Sequence, residues 1–462
     1  MGSAGKNQAI EKMRTAGVTP AAIEVFAHYY DLVESGASGM TPEDSIEPIK
    51  SLPRLVELET DEEAAVEALQ RTVVIKLNGG LGTSMGMEGP KSLLEARPGR
   101  TFLDLIAGQV LALRRKFDIS LPLVFMNSFR TRNDTLAALE EYSELPVEGL
   151  PLDFLQNREP KLAADDLTPI SWPPDPDLEW CPPGHGDLYT AITGSGVLES
   201  LIDLGFRYAF VSNADNLGAL VDPRLISWFA SSGAPFASES CRRTPSDRKG
   251  GHLAVRRSDK RLILRETAQT LPEDMEDFTD IDRHHYFNTN NLWLDLNALA
   301  VKLDETDGVL GLPLIRNVKN VNPSQPESPK VIQIETAMGA AIEVFDGSLA
   351  IEVDRSRFLP VKTTNELLAL RSDAYEVDDE DRVHLVDGRT TPPHIDLDDV
   401  YTLVSDFDFR FPSGPPSLAT ADSLVVDGDW IFGADVRVDG SVVVEPPHEA
   451  QGVIPDGTLL SG

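Results

Sequence analysis

Lys76-Leu77-Asn78-Gly79-Gly80-Leu81-Gly82-Thr83-Ser84-Met85-Gly86, closed by Gly89-Pro90-Lys91-Ser92, follows an apolar run at residues 72–75 and precedes a helical pattern that starts near Thr101. Four glycines, at 79, 80, 82 and 86, crowd a loop between a strand and a helix. Glycine accepts positive φ and has no Cβ, so such a loop can fold its amide N–H groups around an anion. Lys91 can add a point charge. The stretch therefore predicts a site for a nucleotide or sugar phosphate; a glycine-rich turn that binds nothing is the other reading of the loop taken alone. Neither G-x-x-x-x-G-K-[ST] nor G-x-G-x-x-G is present, which excludes the two commonest phosphate loops.

Outward from this loop, strand and helix patterns alternate. Strands are expected at residues 73–77, 123–127, 152–156, 208–213 and 235–241, and helices at 101–117, 131–142, 188–204 and 223–232. Thr101 and Asp104 form a T-x-x-D capping box, and Asp222 before Pro223 reads as an N-cap. Alternation of this kind predicts an α/β fold, an open and mostly parallel sheet with helices on both faces. Ligands of such sheets sit at the carboxyl ends of the strands, near a switch point in strand order. The glycine loop after Leu77, Met126-Asn127-Ser128, Gln156-Asn157 and Ser212-Asn213-Ala214-Asp215 all fall at those ends.

Residues 1–70 read as a helical N-terminal segment. Ile23, Phe26, Tyr30 and Val33 make a helical stripe, residues 35–53 a connector, and residues 60–71 a second helix. Residues 71–372 form the expected core, with insertions and antiparallel strands at 242–290, a strand returning at 290–294 and a loop at 323–329. Residues 373–462 comprise an acidic connector at 373–382 and a tail of different character. There, Leu424, Trp430, Val436 and Val442 recur every six residues, as do Val426, Phe432, Val438 and Val444. A six-residue period suits a parallel β-helix; an irregular antiparallel hairpin is the alternative.

Composition narrows the function. Asp and Glu outnumber Lys and Arg by 75 to 41, for a net charge of −34. A nucleic-acid surface is excluded, because phosphate-backbone binding needs a basic field. A polyphosphate ligand would need locally concentrated positive charge or a divalent metal. Arg355, Arg357 and Lys362 could flank a triphosphate, or form a solvated basic turn. Asp215, at a strand end beside Asn213 and Asn216, suits Mg²⁺, although a turn aspartate can also bond its own backbone. His185 stands between Gly184 and Gly186, which permit close ligand approach; solitary histidines are otherwise structural. The amides at 288, 290 and 291 could bond sugar hydroxyls or cap loop backbone. Cys181 and Cys241 read as free thiols. The N-terminus has no apolar leader pattern, no run approaches a membrane span, and Lys6 breaks the myristoylation pattern, so a soluble, cytoplasmic protein is expected.

The motifs KLNGGLGTSMG (76–86), GPKS (89–92), MNSF (126–129), PPGHGD (182–187), SN-x-DN (212–216), FNTNNLW (287–293), IETAMGAAI (334–342), RSRFLPVKTT (355–364) and GDWIFGADVRVDGSVVV (428–444) occur in this order. Together they resemble the eukaryotic-type UTP–glucose-1-phosphate uridylyltransferases, or UDP-glucose pyrophosphorylases, from about residue 70 to the end. The resemblance implies a Rossmann-like nucleotidyltransferase core with a mixed, mostly parallel sheet and a C-terminal left-handed parallel β-helix. It implies Mg²⁺-dependent, reversible conversion of UTP and glucose 1-phosphate to UDP-glucose and pyrophosphate. By the same resemblance, Leu77, Asn78, Gly79 and Gly80 line the nucleotide, Lys91 contacts the phosphates, and Gln156 and Gly184 read the uracil. His185 lies by the sugar phosphate, Asn213, Ala214 and Asp215 contact the sugar nucleotide, Asp215 holds Mg²⁺, Asn290 bonds the sugar, and Lys362 is the catalytic lysine. Ala214 replaces a bulkier apolar residue usual in the family, Cys181 stands where an aromatic is common, and residues 157–178 diverge. Another sugar 1-phosphate, of galactose or an N-acetylhexosamine, and a non-catalytic sugar-nucleotide sensor are the rival readings. Self-association is expected through the C-terminal domain.

Overall fold

The computed structural model describes residues 4–59, 61–448 and 450–462; the first residue of the expected helix at 60–71 lies outside the described residues. Ten strands form the central sheet: β1 (Ile46–Pro48), β2 (Thr72–Asn78), β3 (Leu123–Asn127), β4 (Asp153–Leu155), β5 (Tyr208–Asn213), β6 (Phe236–Arg242), β7 (His252–Arg256), β8 (Leu262–Arg265), β9 (Tyr286–Asp295) and β10 (Leu349–Glu352). Their order is β1-β7-β9-β5-β2-β3-β4, with β6 on β9, β10 on β6 and β8 on β7. The sheet is mixed. Strands β4, β3, β2 and β5 run parallel, β9 runs antiparallel to β5 and β6, and β10 is parallel to β6.

Alternation along the strands explains the layers. Val74, Phe125 and Phe210 point to one face, where helices Glu62–Gln70, Phe102–Phe117 and Pro223–Ser232 pack. Val73, Ile75, Val124, Met126, Ala209 and Val211 point to the other, under Leu188–Gly194, Val197–Asp203 and Leu296–Glu305. Both faces are covered, which is why these strands read as nearly continuous apolar runs. The capping box at Thr101 and Asp104 and the Asp222 N-cap form as expected.

Three expectations need correction. The helix expected over 188–204 is two, broken where Gly196 takes φ +77°. The connector at 35–53 contains β1, an edge strand of the central sheet. The acidic connector contains Tyr375–Val377, which pairs with Val383–Leu385 in a hairpin. The helices Ala4–Thr15 and Pro20–Glu34 bury Phe26, Tyr30 and Val33 against Leu162, Ile332 and Ile334 of a separate three-stranded sheet. Among the described residues, no helix is long and apolar enough to cross a membrane.

In the tail, His394–Leu397, Ser417–Val426, Arg437–Val444 and Leu459–Ser461 stack in parallel, as do Trp430–Phe432 and Gly452–Ile454. Leu424 sits beside Val442 and Val426 beside Val444, so three six-residue steps return the chain to its neighbour. Seven of the eight residues of the two six-residue registers are buried, Trp430 being half-buried. Antiparallel pairing of the tail is excluded.

Lys76, inside β2, is fully buried, and among the described residues no carboxylate pairs with its ammonium. Its Nζ donates to Ser212 Oγ (2.8 Å) and to the Ala219 carbonyl (2.9 Å). Burial, and then the nearby Arg357 guanidinium, push its pKa from 10.5 down to about 7. Between those values the unfolded chain binds more protons than the folded one, so stability rises with pH over that window by up to about 1.4 kcal/mol per unit. Lys76→Met should remove this slope, read from urea midpoints of both proteins at pH 7 and 9.5. Equal slopes would place the titration elsewhere.

Candidate active site

The strand order reverses at β2, with β3 and β4 on one side and β5 and β9 on the other, so the carboxyl end of β2 is the switch point. Leu77 lies beside Met126 of β3 and Asn213 of β5, and the Ala214 N–H donates to the Leu77 carbonyl (3.0 Å). The Asn78 amide turns inward, donating to Asn127 Oδ1 (2.8 Å) and Thr135 Oγ1 (2.9 Å). Its side chain is a strut between strand ends, leaving only backbone for a ligand.

The glycine loop closes on itself: the Lys91 N–H donates to the Gly80 carbonyl (3.3 Å), and Leu81 bridges Pro90. Gly79 and Gly80 differ in surroundings. A Cβ on Gly79 would lie 2.6 Å from Gln156 Oε1, whereas one on Gly80 would meet nothing within 4 Å. Gln156 is buried, and its Nε2 donates to the Gly184 carbonyl (3.1 Å). Gly184 itself has φ +77° and packs where a Cβ would stand 2.5 Å from the Thr336 carbonyl. Glycine is required there twice over, by conformation and by space. Gly79, Gln156 and Gly184 thus form one continuous wall.

His185 follows in a turn docked on residues 334–342. The Gly186 N–H donates to the Thr336 carbonyl (2.8 Å) and the Thr336 N–H to the Pro183 carbonyl (3.0 Å). The Met338 N–H donates to His185 Nδ1 (2.9 Å), and burial pushes the imidazole pKa down to about 4. The ring is therefore neutral at pH 7 with its proton on Nε2, a fixed hydrogen-bond donor. Asp187 anchors the next turn by accepting the Asn157 N–H (2.6 Å) and side-chain amide (2.9 Å); burial raises its pKa to about 7.

Across the switch point, Asp215 and Lys91 form an ion pair at 2.9 Å, with side chains 23% and 17% exposed. The Val361 N–H donates to the Asp215 carbonyl (3.3 Å), which brings Lys362 alongside. Lys362 is exposed, and among the described residues no carboxylate pairs with it. The other two cations of that segment are committed: Arg355 binds Asp247 bidentately, and Arg357 is buried on Glu239. Neither is left as a free, solvated cation. Lys91 and Lys362 supply positive charge beside Asp215.

Asn290 has φ +60° inside β9, at a bulge where Asn291 pairs with Glu239 but Asn288 with Ser240. Bulges re-aim side chains beside sites, and asparagine tolerates the left-handed conformation. Asn290 Oδ1 accepts from the Asn288 amide (2.8 Å). Glu266, which sequence reasoning missed, stands where a Cβ on Gly251 would touch its carboxylate. Burial raises its pKa, and the charge of Lys362 draws it back. Nothing in its sequence neighbourhood marked it. Both cysteines are free and buried.

Among the described residues, no group of three histidine, cysteine or acidic side chains could hold a metal. Asp215 offers one carboxylate at the strand end, and Mg²⁺ typically binds through one or two carboxylates and completes its octahedron with water and substrate phosphates.

The family described as UTP–glucose-1-phosphate uridylyltransferase matches residues 24–439 of the chain. The chain belongs to the UTP–glucose-1-phosphate uridylyltransferase family. The enzyme of that name from Solanum tuberosum is 40% identical over 424 residues, covering 91% of this chain and 86% of its own. A single-residue variant of the Leishmania major UDP-glucose pyrophosphorylase, solved in complex with UDP-glucose, superposes with a TM-score of 0.93. It is 44% identical and covers 100% of this chain and 99% of its own. The UDP-glucose phosphorylase of Trypanosoma brucei matches at 43% identity and a TM-score of 0.88, with full coverage of both chains. The mixed α/β architecture is that of the UTP–glucose-1-phosphate uridylyltransferases.

Proposed function

We propose that the protein catalyses the reversible transfer of a uridylyl group from UTP to glucose 1-phosphate, giving UDP-glucose and pyrophosphate with Mg²⁺. The observation that carries this reading is the convergence, at one switch point, of the Gly79–Gln156–Gly184 wall, the Asp215–Lys91 pair and Lys362. Family membership narrows the chemistry to this reaction.

An anionic phosphate oxygen of glucose 1-phosphate attacks the α-phosphorus of UTP. A new P–O bond forms as the bond to the bridging oxygen breaks, and its electron pair leaves on pyrophosphate. No proton has to move, so the protein needs alignment and charge rather than a general base. Gln156 and Gly184 hold the uracil, while Leu77, Asn78, Gly79 and Gly80 offer backbone to the nucleotide. Lys91 exchanges Asp215 for phosphate oxygens, and Lys362 offsets charge along the chain. His185 donates through Nε2 on the sugar-phosphate side, and Asn213, Ala214, Asp215 and Asn290 meet the sugar nucleotide. Asp215 would hold Mg²⁺, which would supply Lewis-acid neutralisation of phosphate charge.

The same reading divides the chain at residues 70 and 372. It winds the tail as a left-handed β-helix, a hand supported by the family resemblance and a coil supported by the six-residue faces. It assigns self-association to that tail and the protein to the cytoplasm, a reducing compartment suited to two free thiols. Purified protein with UTP, glucose 1-phosphate and Mg²⁺ should release pyrophosphate. Galactose or N-acetylhexosamine 1-phosphates should react at least about tenfold more slowly, because polar groups matched to one sugar are left unpaired by another. Preference for an N-acetylated sugar would sink the glucose assignment, and no turnover with any would favour the sensor.

A further inference from the structure

The residues that would hold Lys362 next to Asp215 form a buried polar cluster behind the site. Arg357 Nε and Nη2 each donate to the Glu239 carboxylate at 2.7 Å, and Nη2 also reaches the Leu220 carbonyl (2.7 Å). Glu239 additionally accepts from Asn291 Nδ2 (3.2 Å) and Trp293 Nε1 (2.9 Å). The Arg357 carbonyl accepts from the amides of Asn216 (3.2 Å) and Asn291 (3.1 Å), and Asn216 Oδ1 accepts from the Leu359 N–H (2.8 Å). Glu239, Asn291, Asn216 and Arg357 are 0%, 0%, 1% and 7% exposed. Gly218 closes the contact: a Cβ there would lie 2.3 Å from the Ser356 carbonyl, so the two backbones meet at a distance only glycine allows.

This cluster joins two segments to each other and to strands β6 and β9, which supply Glu239 and Asn291. One runs from Asn213 to Leu220 and carries Asp215; the other runs from Arg355 to Lys362. Asn216 follows Asp215 directly, and Leu359 lies three residues before Lys362. Packed hydrophobic residues hold segments together as firmly as a buried ion pair does, so strength alone does not account for the choice. Direction does: a bidentate guanidinium and two bridging amides allow one register between the segments, where an apolar contact allows sliding.

We propose that Glu239, Arg357 and Asn216 are positioning residues of the transfer reaction, setting the place of Lys362 against Asp215. The inference rests on the assignment of Lys362 to the phosphate chain. Steady-state kinetics of the wild type, Arg357→Lys, Lys362→Ala and the double variant test it, with thermal unfolding followed in parallel. Lysine keeps the charge and loses the fork, and a misplacement of about 1 Å costs on the order of 100-fold, so Arg357→Lys should lower kcat by about that factor. KM for UTP should stay within about threefold, since the binding wall is untouched. On the Lys362→Ala background the same change should alter the residual kcat less than about twofold, because coupled residues are not additive. An equal loss on both backgrounds, or a wild-type kcat in Arg357→Lys, overturns the proposal. Should Arg357→Lys not fold, Asn216→Ser goes through the same cycle under the same criteria. Full activity in Lys362→Ala by itself overturns the site assignment, and this inference with it.

Discussion

Lys362→Ala is expected to lower kcat for pyrophosphate release by about 10²–10³-fold, the loss typical of removing one preorganised charge from a transition state. Its thermal midpoint should barely move. Lys362 is exposed and pairs with no carboxylate among the described residues, so its removal breaks no ion pair and takes from Glu266 only a through-space charge. The neighbouring cations cannot substitute, because Arg355 is held by Asp247 and Arg357 by Glu239. The loss in kcat/KM should be equal in the direction of UTP formation, since both directions share one transition state and the overall equilibrium constant is fixed. Retained activity would remove Lys362 from the mechanism.

Gly79→Val should weaken UTP binding more than any other change in the glycine loop. A Cβ at 2.6 Å from Gln156 Oε1 must displace that amide, and with it the bond from Gln156 to Gly184. Stranding a buried amide costs about 2–3 kcal/mol, roughly 30- to 150-fold in Kd, before any lost contact with the base. Gly80 is the informative contrast. Its Cβ direction is open, so a side chain there leaves Gln156 where it is and intrudes only on the cleft. Equilibrium titration with UTP separates the two. Normal affinity in Gly79→Val would mean that Gln156 does not read the base.

Much of this site was legible because its signals are local. The glycine loop, the polar strand ends and the six-residue registers of the tail all lie within short windows, where spacing maps directly onto geometry. What was not legible depends on partners far along the chain. Arg355 and Arg357 read as free cations, flanking a triphosphate or in a solvated basic turn, because Asp247 and Glu239, which neutralise them, lie in distant strands and loops. Glu266 carries no motif and acquires meaning only from Gly251 and Lys362. Ile46–Pro48 is too short for a period-2 pattern and becomes a strand only because β7 offers an edge. The break at Gly196 was missed because the apolar spacing continues across it, and one residue at positive φ suffices to end a helix.

Strand β9 touches β5, β6 and β7, and joins the parallel half of the central sheet to the half that carries β1, β8 and β10. A chain emerging from a ribosome therefore cannot unite the two halves until residue 295 is free. Until then β5 has β2 on one side and a bare edge on the other, and that edge is open to the wrong strand. The tail has no such delay, since Leu424 finds Val442 only eighteen residues later. Assembly is thus slow where the chemistry sits and quick where it does not, as the sequence separation of the pairings dictates.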